Sequence, residues 1–226
     1  ILIYNYLREK NIVIPQKIKA EKVEKFEGAY VKDPQVGMHK WVMSFDLNSL
    51  YPHLIMQYSI SPETLMPSEI KEGMVDKILD GKIRNTTDHC MTPNGAFFRK
   101  DKRGFLPEIM ETMYNDRTKY KRLMLEAKQQ YEDTKDPRLL KHISLYNNIQ
   151  MAKKISLNSA YGAIGNNWFR YFDLKIAAAI TTSGQLSIRW IEKALNIYLN
   201  KILETKNEDY VIASDTDSVY ITFDVL

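Results

Sequence analysis

Apolar and polar residues alternate, cluster or recur with helical spacing in different parts of the chain, and each pattern predicts a different element. Residues 38–46 (MHKWVMSFD) alternate and are rich in β-forming residues, which predicts a strand that ends at Asp46. Residues 50–59 predict a short helix behind that strand, whereas the glycine- and proline-rich stretch 66–106 predicts loops and short strands. Two β-rich runs flank a tight polar turn in residues 210–223 (YVIASDTDSVYITF), which predicts a β-hairpin.

Three long helices are predicted in the second half of the chain. The first covers about residues 107–134 and begins with a proline, the residue that suits the first helical position. The second begins at the N-cap and first-turn pair Asp136-Pro137 and is expected to stop at Gly162. Because the connection between them is so short, these two helices must return antiparallel. The third helix, about 174–203, carries a core-packing stripe of Ile176, Ile180, Ile191, Leu195, Tyr198 and Leu199.

Composition describes an ordinary globular chain of 226 residues, 44% hydrophobic and 27% charged, which excludes a disordered protein. The single cysteine, Cys90, excludes an internal disulfide. The longest apolar run, around Ile176–Ile180, is too short to cross a bilayer. The net charge of +4 is too mild to indicate a nucleic-acid partner, but residues 113–154 hold ten Lys and Arg against five Asp and Glu.

Part of that basic excess falls on equivalent positions of the predicted helical hairpin. Arg117 and Lys154 are equally far from the turn at 135–136, about 28 Å along each helix at 1.5 Å per residue. Lys121 lies four residues after the first and Asn158 four residues after the second, so each pair shares a helix face. Three cations and an amide on one patch suit a polyphosphate, because Arg gives forked hydrogen bonds and Lys gives point charges. A solvated face with salt bridges would have the same spacing, so both interpretations stay open.

Three carboxylates form the second candidate cluster. Asp46 ends the predicted strand, and Asp215 and Asp217 lie in the hairpin turn. If the strands are neighbours, these carboxylates meet, repel one another and favour hard divalent cations such as Mg²⁺. Turn aspartates that make only local hydrogen bonds are the alternative. A zinc site is not indicated, because the histidines and Cys90 lack paired ligand spacing.

Three segments, in this order, resemble the polymerase motifs of family B DNA polymerases. SFDLNSLYPHLIMQ (44–57) is similar to motif A, KKISLNSAYGAIGN (153–166) to motif B, and SDTDSVYI (214–221) to motif C. The stretch NNWFRYFDLKIAAAITTSGQ (166–185) resembles the polymerases of T-even-like bacteriophages. The resemblance extends from about residue 12 to residue 223, and FEGAYVKDP (26–34) belongs to it.

This resemblance implies an α+β fold, with an antiparallel-sheet palm packed against helices and an antiparallel helical hairpin as fingers. The palm would comprise residues 1–106 and 166–226, and the fingers residues 107–165. The implied activity is that of a DNA-directed DNA polymerase that uses two Mg²⁺ ions, with Mn²⁺ as a substitute. Its partners would be primer–template DNA and deoxynucleoside triphosphates, without a membrane, in the cytoplasm of a phage-infected bacterium.

The resemblance also implies a role for each site residue. The metal ligands would be Asp46, Asp217, the Leu47 carbonyl and the nearby Asp215. The incoming triphosphate would be held by Arg117, Lys121, Lys154, Asn158 and the backbone amides of Ser49 and Leu50. Tyr51 would lie under the sugar and exclude a 2′-hydroxyl. Contacts with DNA would come from Tyr161 and Gly162 at the nascent base pair and from Gly28, Ala29 and Tyr30 at the template backbone.

Several features depart from the family pattern. Ala213-Ser214 replaces an aromatic–glycine pair, and His53 stands where a small hydroxyl residue is usual. The sequence begins with Ile1 and ends nine residues after Asp217, with no thumb and no proofreading exonuclease. A split subunit or a truncated product that needs these remaining polymerase parts is therefore expected. A non-catalytic nucleotide- or nucleic-acid-binding module is the alternative.

Overall fold

A computed structural model describes residues 2–14, 16, 28–69, 71 and 73–224 of the chain. Within these ranges the helices are α1 (Leu2–Glu9), α2 (Leu50–Gln57), α3 (Met74–Leu79), α4 (Phe105–Thr134), α5 (Arg138–Ile164) and α6 (Leu174–Ile202). The strands are β1 (Val31–Lys32), β2 (Met43–Asp46), β3 (Cys90–Met91), β4 (Phe97–Phe98), β5 (Val211–Asp215) and β6 (Ser218–Ile221). Long helices beside antiparallel strands confirm the α+β class.

The main sheet has the strand order β1-β5-β6-β2, and every neighbouring pair is antiparallel. The predicted hairpin is confirmed as β5 and β6. The strand predicted over 38–46 ends at Asp46 as expected but is shorter, since only Met43–Asp46 pair with β6. This register sets Asp46 directly opposite Ser218, the first residue after Asp217. The ends of β2 and of the β5–β6 hairpin therefore lie side by side.

The α4–α5 hairpin is confirmed, but three details of its prediction are wrong. Helix α4 begins two residues before Pro107, because a first-turn proline lacks only an N–H that has no partner in the helix anyway. The N-cap residue of α5 is Pro137, not Asp136, which lies one residue earlier and accepts the backbone N–H of Arg138 on its Oδ1 at 3.0 Å. Gly162 does not stop α5, which continues to Ile164 because a helix tolerates an interior glycine at a cost of about 1 kcal/mol.

The stretch predicted as loops and short strands contains the additional helix α3. Met74 and Val75 are buried there, and α3 packs against α6, so tertiary burial stabilises a segment that is too short to be helical on its own. The short strands β3 and β4 pair as predicted. Ser61 and Glu63, farther upstream, accept backbone N–H groups at the start of α4.

Helix α6, confirmed at both ends within one residue, connects two hydrophobic cores. Its first half is buried with α2, α4 and α5, whereas its second half packs on the β5–β6 face through Ile188 and Leu199. Tyr198, predicted on the buried stripe, is instead 60% exposed. It lies at the edge of the α6 face that packs on the sheet, so its side chain remains in solvent. Since α6 contacts both cores, it holds the sheet at a defined distance from the helical hairpin. In the described part of the chain, no helix combines the length and apolar character that a bilayer crossing requires.

Candidate nucleotide-binding and metal-binding site

A cavity of about 740 Å³ lies where the end of the sheet, the start of α2 and the inner face of the α4–α5 hairpin meet. Ten of the predicted site residues line it: Asp46, Ser49, Leu50, Tyr51, Arg117, Lys121, Lys154, Asn158, Tyr161 and Asp217. They come from three regions far apart in the chain. The structure therefore brings residues of the two candidate clusters, carboxylates and cations, to the wall of one cavity. We call Asp46 and Asp217 the acidic wall, and Arg117, Lys121 and Lys154 the basic wall.

The acidic wall is formed by Asp46 and Asp217. The Leu47 N–H donates a 2.7 Å hydrogen bond to the Asp217 carbonyl, which fixes the two chain segments side by side. Burial raises the pKa of the Asp217 carboxyl, and the neighbouring negative charges of Asp46 and Asp215 raise it further. Two carboxylates that repel each other at a polar cavity form a donor set suited to a hard divalent cation.

Asp215 takes a different position from the other two carboxylates. It does not line the cavity, and its Oδ1 accepts a 2.9 Å hydrogen bond from the Thr216 hydroxyl. Among the described residues, no group of three or more His, Cys, Asp or Glu side chains is arranged to hold a metal ion. The acidic wall of this structure is therefore a carboxylate pair with a third carboxylate behind it.

The loop between β2 and α2 presents Ser49 in a conformation that non-glycine residues rarely adopt. Ser49 has φ 56° and ψ 48°, the left-handed region, at the N-terminus of α2. Its hydroxyl accepts a 3.0 Å hydrogen bond from Nη1 of Arg117 on α4. The Nε of Arg117 is buried and has no hydrogen-bond partner among the described residues. A buried, unsatisfied cationic donor at the cavity is suited to an anionic ligand.

The basic wall is built from cations that are free to face a ligand. Lys121 and Lys154 line the cavity, and neither forms an ion pair with any described residue. Lys153, one residue earlier, does form one, with Asp116 at 2.7 Å, and this bridge joins α5 to α4. The structure thus distinguishes a salt-bridging lysine from its cavity-facing neighbour. It favours the polyphosphate interpretation of the hairpin over that of a salt-bridged face.

Two aromatic rings close the cavity between the acidic and basic walls. The rings of Tyr51 and Tyr161 lie with centroids 4.6 Å apart, at an interplanar angle of 39°. Burial raises the pKa of Tyr51 to about 12, so the phenol is uncharged at neutral pH. An uncharged aromatic wall provides shape and apolar contact instead of charge.

The remaining predicted residues lie next to the cavity but not on its surface. The Gly28 carbonyl accepts a 2.7 Å hydrogen bond from Gln185 Nε2, and the Tyr30 carbonyl accepts one of 3.0 Å from the Thr216 N–H. The segment that includes Gly28, Ala29 and Tyr30 is thus tied both to α6 and to the hairpin turn. Gly162 is exposed on α5, directly after Tyr161. Residues 26 and 27 of the 26–34 stretch lie outside the described residues.

Three cavity residues were not anticipated from the sequence: Asn48, Pro52 and Thr216. Asn48 Oδ1 lies 3.2 Å from the Ser49 hydroxyl, which donates to it, and Thr216 occupies the left-handed region with φ 54°. Each adjoins a predicted site residue in the chain, and this adjacency was the only available signal. The unusual His53 packs edge-on against Tyr114 at 4.6 Å, so it fills space between α2 and α4.

Comparison with known proteins gives a consistent result along the chain. The sequence profile of DNA polymerase family B matches residues 1–226. The DNA-directed DNA polymerase of Escherichia phage RB69 is 35% identical over 99% of this chain and 29% of its own length. The DNA-directed DNA polymerase of Enterobacteria phage T4 is 32% identical over 99% of this chain and 29% of its own length. The DNA polymerase delta catalytic subunit of Oryza sativa subsp. japonica is 31% identical over 96% of this chain and 18% of its own length. The chain thus spans about 29% of the length of its phage relatives. The profile match and the ordered motifs around one cavity lead to the same conclusion: the chain belongs to DNA polymerase family B.

Proposed function

We propose that this chain is the palm and fingers core of a DNA-directed DNA polymerase, which adds deoxynucleotides to a primer under the direction of a template. Residues 1–106 and 166–226 would form the palm, and residues 107–165 the fingers. The observation that carries the proposal is one cavity lined together by a carboxylate pair, three cations and two tyrosine rings in contact with each other. The acidic wall would suit a divalent cation, the basic wall a polyphosphate and the tyrosine rings a nucleoside.

In this proposal the carboxylates hold the metal ions. Asp46 and Asp217, with the Leu47 carbonyl and Asp215 beside them, are the residues that would bind two Mg²⁺ or Mn²⁺ ions. Such ions, when bound, activate the attacking hydroxyl and neutralise charge on the leaving phosphate. The repulsion that raises the pKa of Asp217 supports this assignment, because a divalent cation would relieve it.

The basic wall would bind the triphosphate of the incoming nucleotide. Arg117 offers its unsatisfied Nε, while Lys121 and Lys154 offer unpaired ammonium groups and Asn158 an amide. The backbone amides of Ser49 and Leu50 at the start of α2 would add further hydrogen bonds. The primer 3′-hydroxyl would attack the α-phosphate in line, forming the new P–O bond as the bond to pyrophosphate breaks. Positioning and charge neutralisation lower the barrier of such a reaction.

The tyrosine wall would select the sugar and the base pair. Tyr51 would lie under the sugar and exclude a 2′-hydroxyl by contact, and Tyr161 with Gly162 would lie against the nascent base pair. Gly28, Ala29 and Tyr30, held next to the hairpin turn, would contact the template backbone. Closure of the basic hairpin over the nucleotide would complete the site.

Primer extension with Mg²⁺ tests the proposal, with the chain assayed alone and mixed with separately produced thumb and exonuclease parts of a family B polymerase. We expect template-dependent extension, and we expect Asp217→Asn to abolish it. Extension that survives Asp217→Asn would show that the metal assignment is wrong. Deoxynucleotide binding without incorporation, even with the added parts, would indicate a non-catalytic binding module instead.

Two adjacent lysines provide a matched control for the basic wall. Lys154→Ala removes a cavity-facing charge and should weaken deoxynucleotide binding about 10-fold or more, the usual size of a lost charge-assisted hydrogen bond. Lys153→Ala removes the same charge from a residue already paired with Asp116, and binding should stay within about 2-fold. Equal losses in the two variants would contradict a specific phosphate site.

A further inference from the structure

The Tyr51 ring is in contact with a glycine of α6 that lies outside the three segments similar to motifs A, B and C. Gly184 lies in the buried interior of α6. A Cβ at this position would lie 2.9 Å from Tyr51 Cε1 and 3.6 Å from Leu50 Cδ2. We infer that Gly184 is a positioning residue, which sets how far the Tyr51 ring projects into the cavity and thereby tunes the choice of sugar. This inference rests on the proposed role of Tyr51.

The backbone gives no other reason for a glycine here. Gly184 has no positive φ and sits in regular helix, where glycine is less favourable than alanine by about 1 kcal/mol. The three atoms nearest to a methyl group on this residue belong to the side chains of Tyr51 and Leu50. The lack of a side chain at Gly184 therefore leaves space for the Tyr51 ring, which is proposed to contact the sugar.

A second aromatic ring limits how the Tyr51 ring can respond. Tyr161 lies with its ring centroid 4.6 Å from that of Tyr51, and both side chains line the cavity. Ordinary contact with a Cβ begins at 3.4 Å, so a methyl at Gly184 must displace Tyr51 Cε1 by at least 0.5 Å. The displacement is directed away from α6. Because the Tyr51 side chain lines the cavity, this displacement changes the position of the ring where the sugar would lie.

The first experiment follows the ring itself and needs no catalytic activity. Aromatic NMR signals of Tyr51 and Tyr161, assigned through Tyr→Phe variants, are compared between the native chain and Gly184→Ala. Both sets of signals should shift. Ser187→Ala serves as the control, because it alters α6 three residues further on and removes only a 2.9 Å bond to the Ser183 carbonyl. Unchanged signals in Gly184→Ala would overturn the inference.

The second experiment measures sugar selectivity as the affinity for a deoxynucleoside triphosphate and for its ribonucleotide counterpart, with Mg²⁺ and primer–template present. Gly184→Ala should weaken deoxynucleotide binding by about 5-fold or more, while Ser187→Ala should not. In the Tyr51→Ala background, the same substitution should change affinity by less than about 2-fold, because the ring it displaces is absent.

The outcomes separate the inference from the proposed function. If Tyr51→Ala leaves sugar selectivity unchanged, the proposed role of Tyr51 fails. If Tyr51→Ala relaxes selectivity but Gly184→Ala matches the native chain, only the inference about Gly184 fails. Should Gly184→Ala not fold, recovery of folding in the double variant would locate the clash at Tyr51, and failure to recover would overturn the inference.

Discussion

The acidic wall predicts a conflict between stability and metal binding that can be measured without catalysis. The Asp217 carboxyl is partly buried and lies beside the charges of Asp46 and Asp215. Burial and these two charges each raise its pKa. In the absence of a cation, its ionised form at neutral pH destabilises the fold. Asp217→Asn removes the charge while keeping the shape of the side chain. The variant should therefore be more stable than the native chain in EDTA, although it lacks a proposed metal ligand.

The expected size follows from the two neighbouring carboxylates. Partly exposed charge pairs contribute about 0.2–1 kcal/mol each, so the loss of two repulsions should stabilise the fold by about 0.4–2 kcal/mol. For a chain of this length, 1 kcal/mol corresponds to about 2–4 °C in Tm, which gives an increase of about 1–8 °C. Magnesium at ten times its Kd would stabilise the native chain by about 1.4 kcal/mol. That gain should be largely absent in the variant.

The assay is thermal unfolding of both proteins in EDTA and across a Mg²⁺ titration. Asp88→Asn is the charge-matched control, because Asp88 is exposed in the loop before β3, away from the cavity. It should change neither Tm in EDTA nor the response to Mg²⁺. The reasoning is refuted if Asp217→Asn lowers Tm in EDTA, or if it responds to Mg²⁺ as strongly as the native chain does.

Four further substitutions test separate parts of the structure. Gly104→Ala should destabilise the fold by about 1–3 kcal/mol, since its Cβ would clash with the Cβ of the buried Ser61. Gly162→Ala meets nothing within 4 Å among the described residues and should stabilise α5 by about 0.5–1 kcal/mol. Urea unfolding that ranks these two variants otherwise would contradict the packing described. Gln185→Ala removes the hydrogen bond to the Gly28 carbonyl, so primer–template binding measured by fluorescence anisotropy should weaken about 2- to 10-fold. Deoxynucleotide affinity should be retained. Loss of primer–template binding and of deoxynucleotide binding together would point to general misfolding. Arg117→Lys keeps the charge but loses the buried Nε donor, so triphosphate affinity measured by calorimetry should fall about 10-fold, and an unchanged affinity would remove Nε from the site.

Local patterns in the sequence were sufficient to predict most of the elements around the cavity. Periodicity located the long helices, and the equal distances of Arg117 and Lys154 from a short turn predicted that they face the same region. The β-rich runs on both sides of Asp215 and Asp217 predicted the hairpin that carries them. These predictions hold because helix and hairpin geometry depends on residues close together in the chain.

Helix ends were less predictable, because they depend on competing interactions. Gly162 has the local character of a stop signal, yet α5 continues past it to Ile164 and ends at the C-cap residue Gly165, whose N–H donates a hydrogen bond to the Tyr161 carbonyl. Helix α3 likewise forms only because Met74 and Val75 find a buried position against α6. In α3, packing against the rest of the fold outweighs local preference, whereas in α5 the modest cost of one interior glycine does not end a long helix.

What the sequence by itself determined, then, is the set of elements, the ordered motifs and the residue types suited to metal and phosphate. Only the tertiary structure decided that Asp46 and Asp217 adjoin, because the β2–β6 register joins residues more than 170 positions apart. Only the tertiary structure showed that Lys153 pairs with Asp116 while Lys154 lines the cavity. It also showed that Asp215 does not line the cavity and that Gly184 contacts Tyr51. The physical reason is that strand register and side-chain packing depend on contacts between distant segments, which form only when the whole core is assembled.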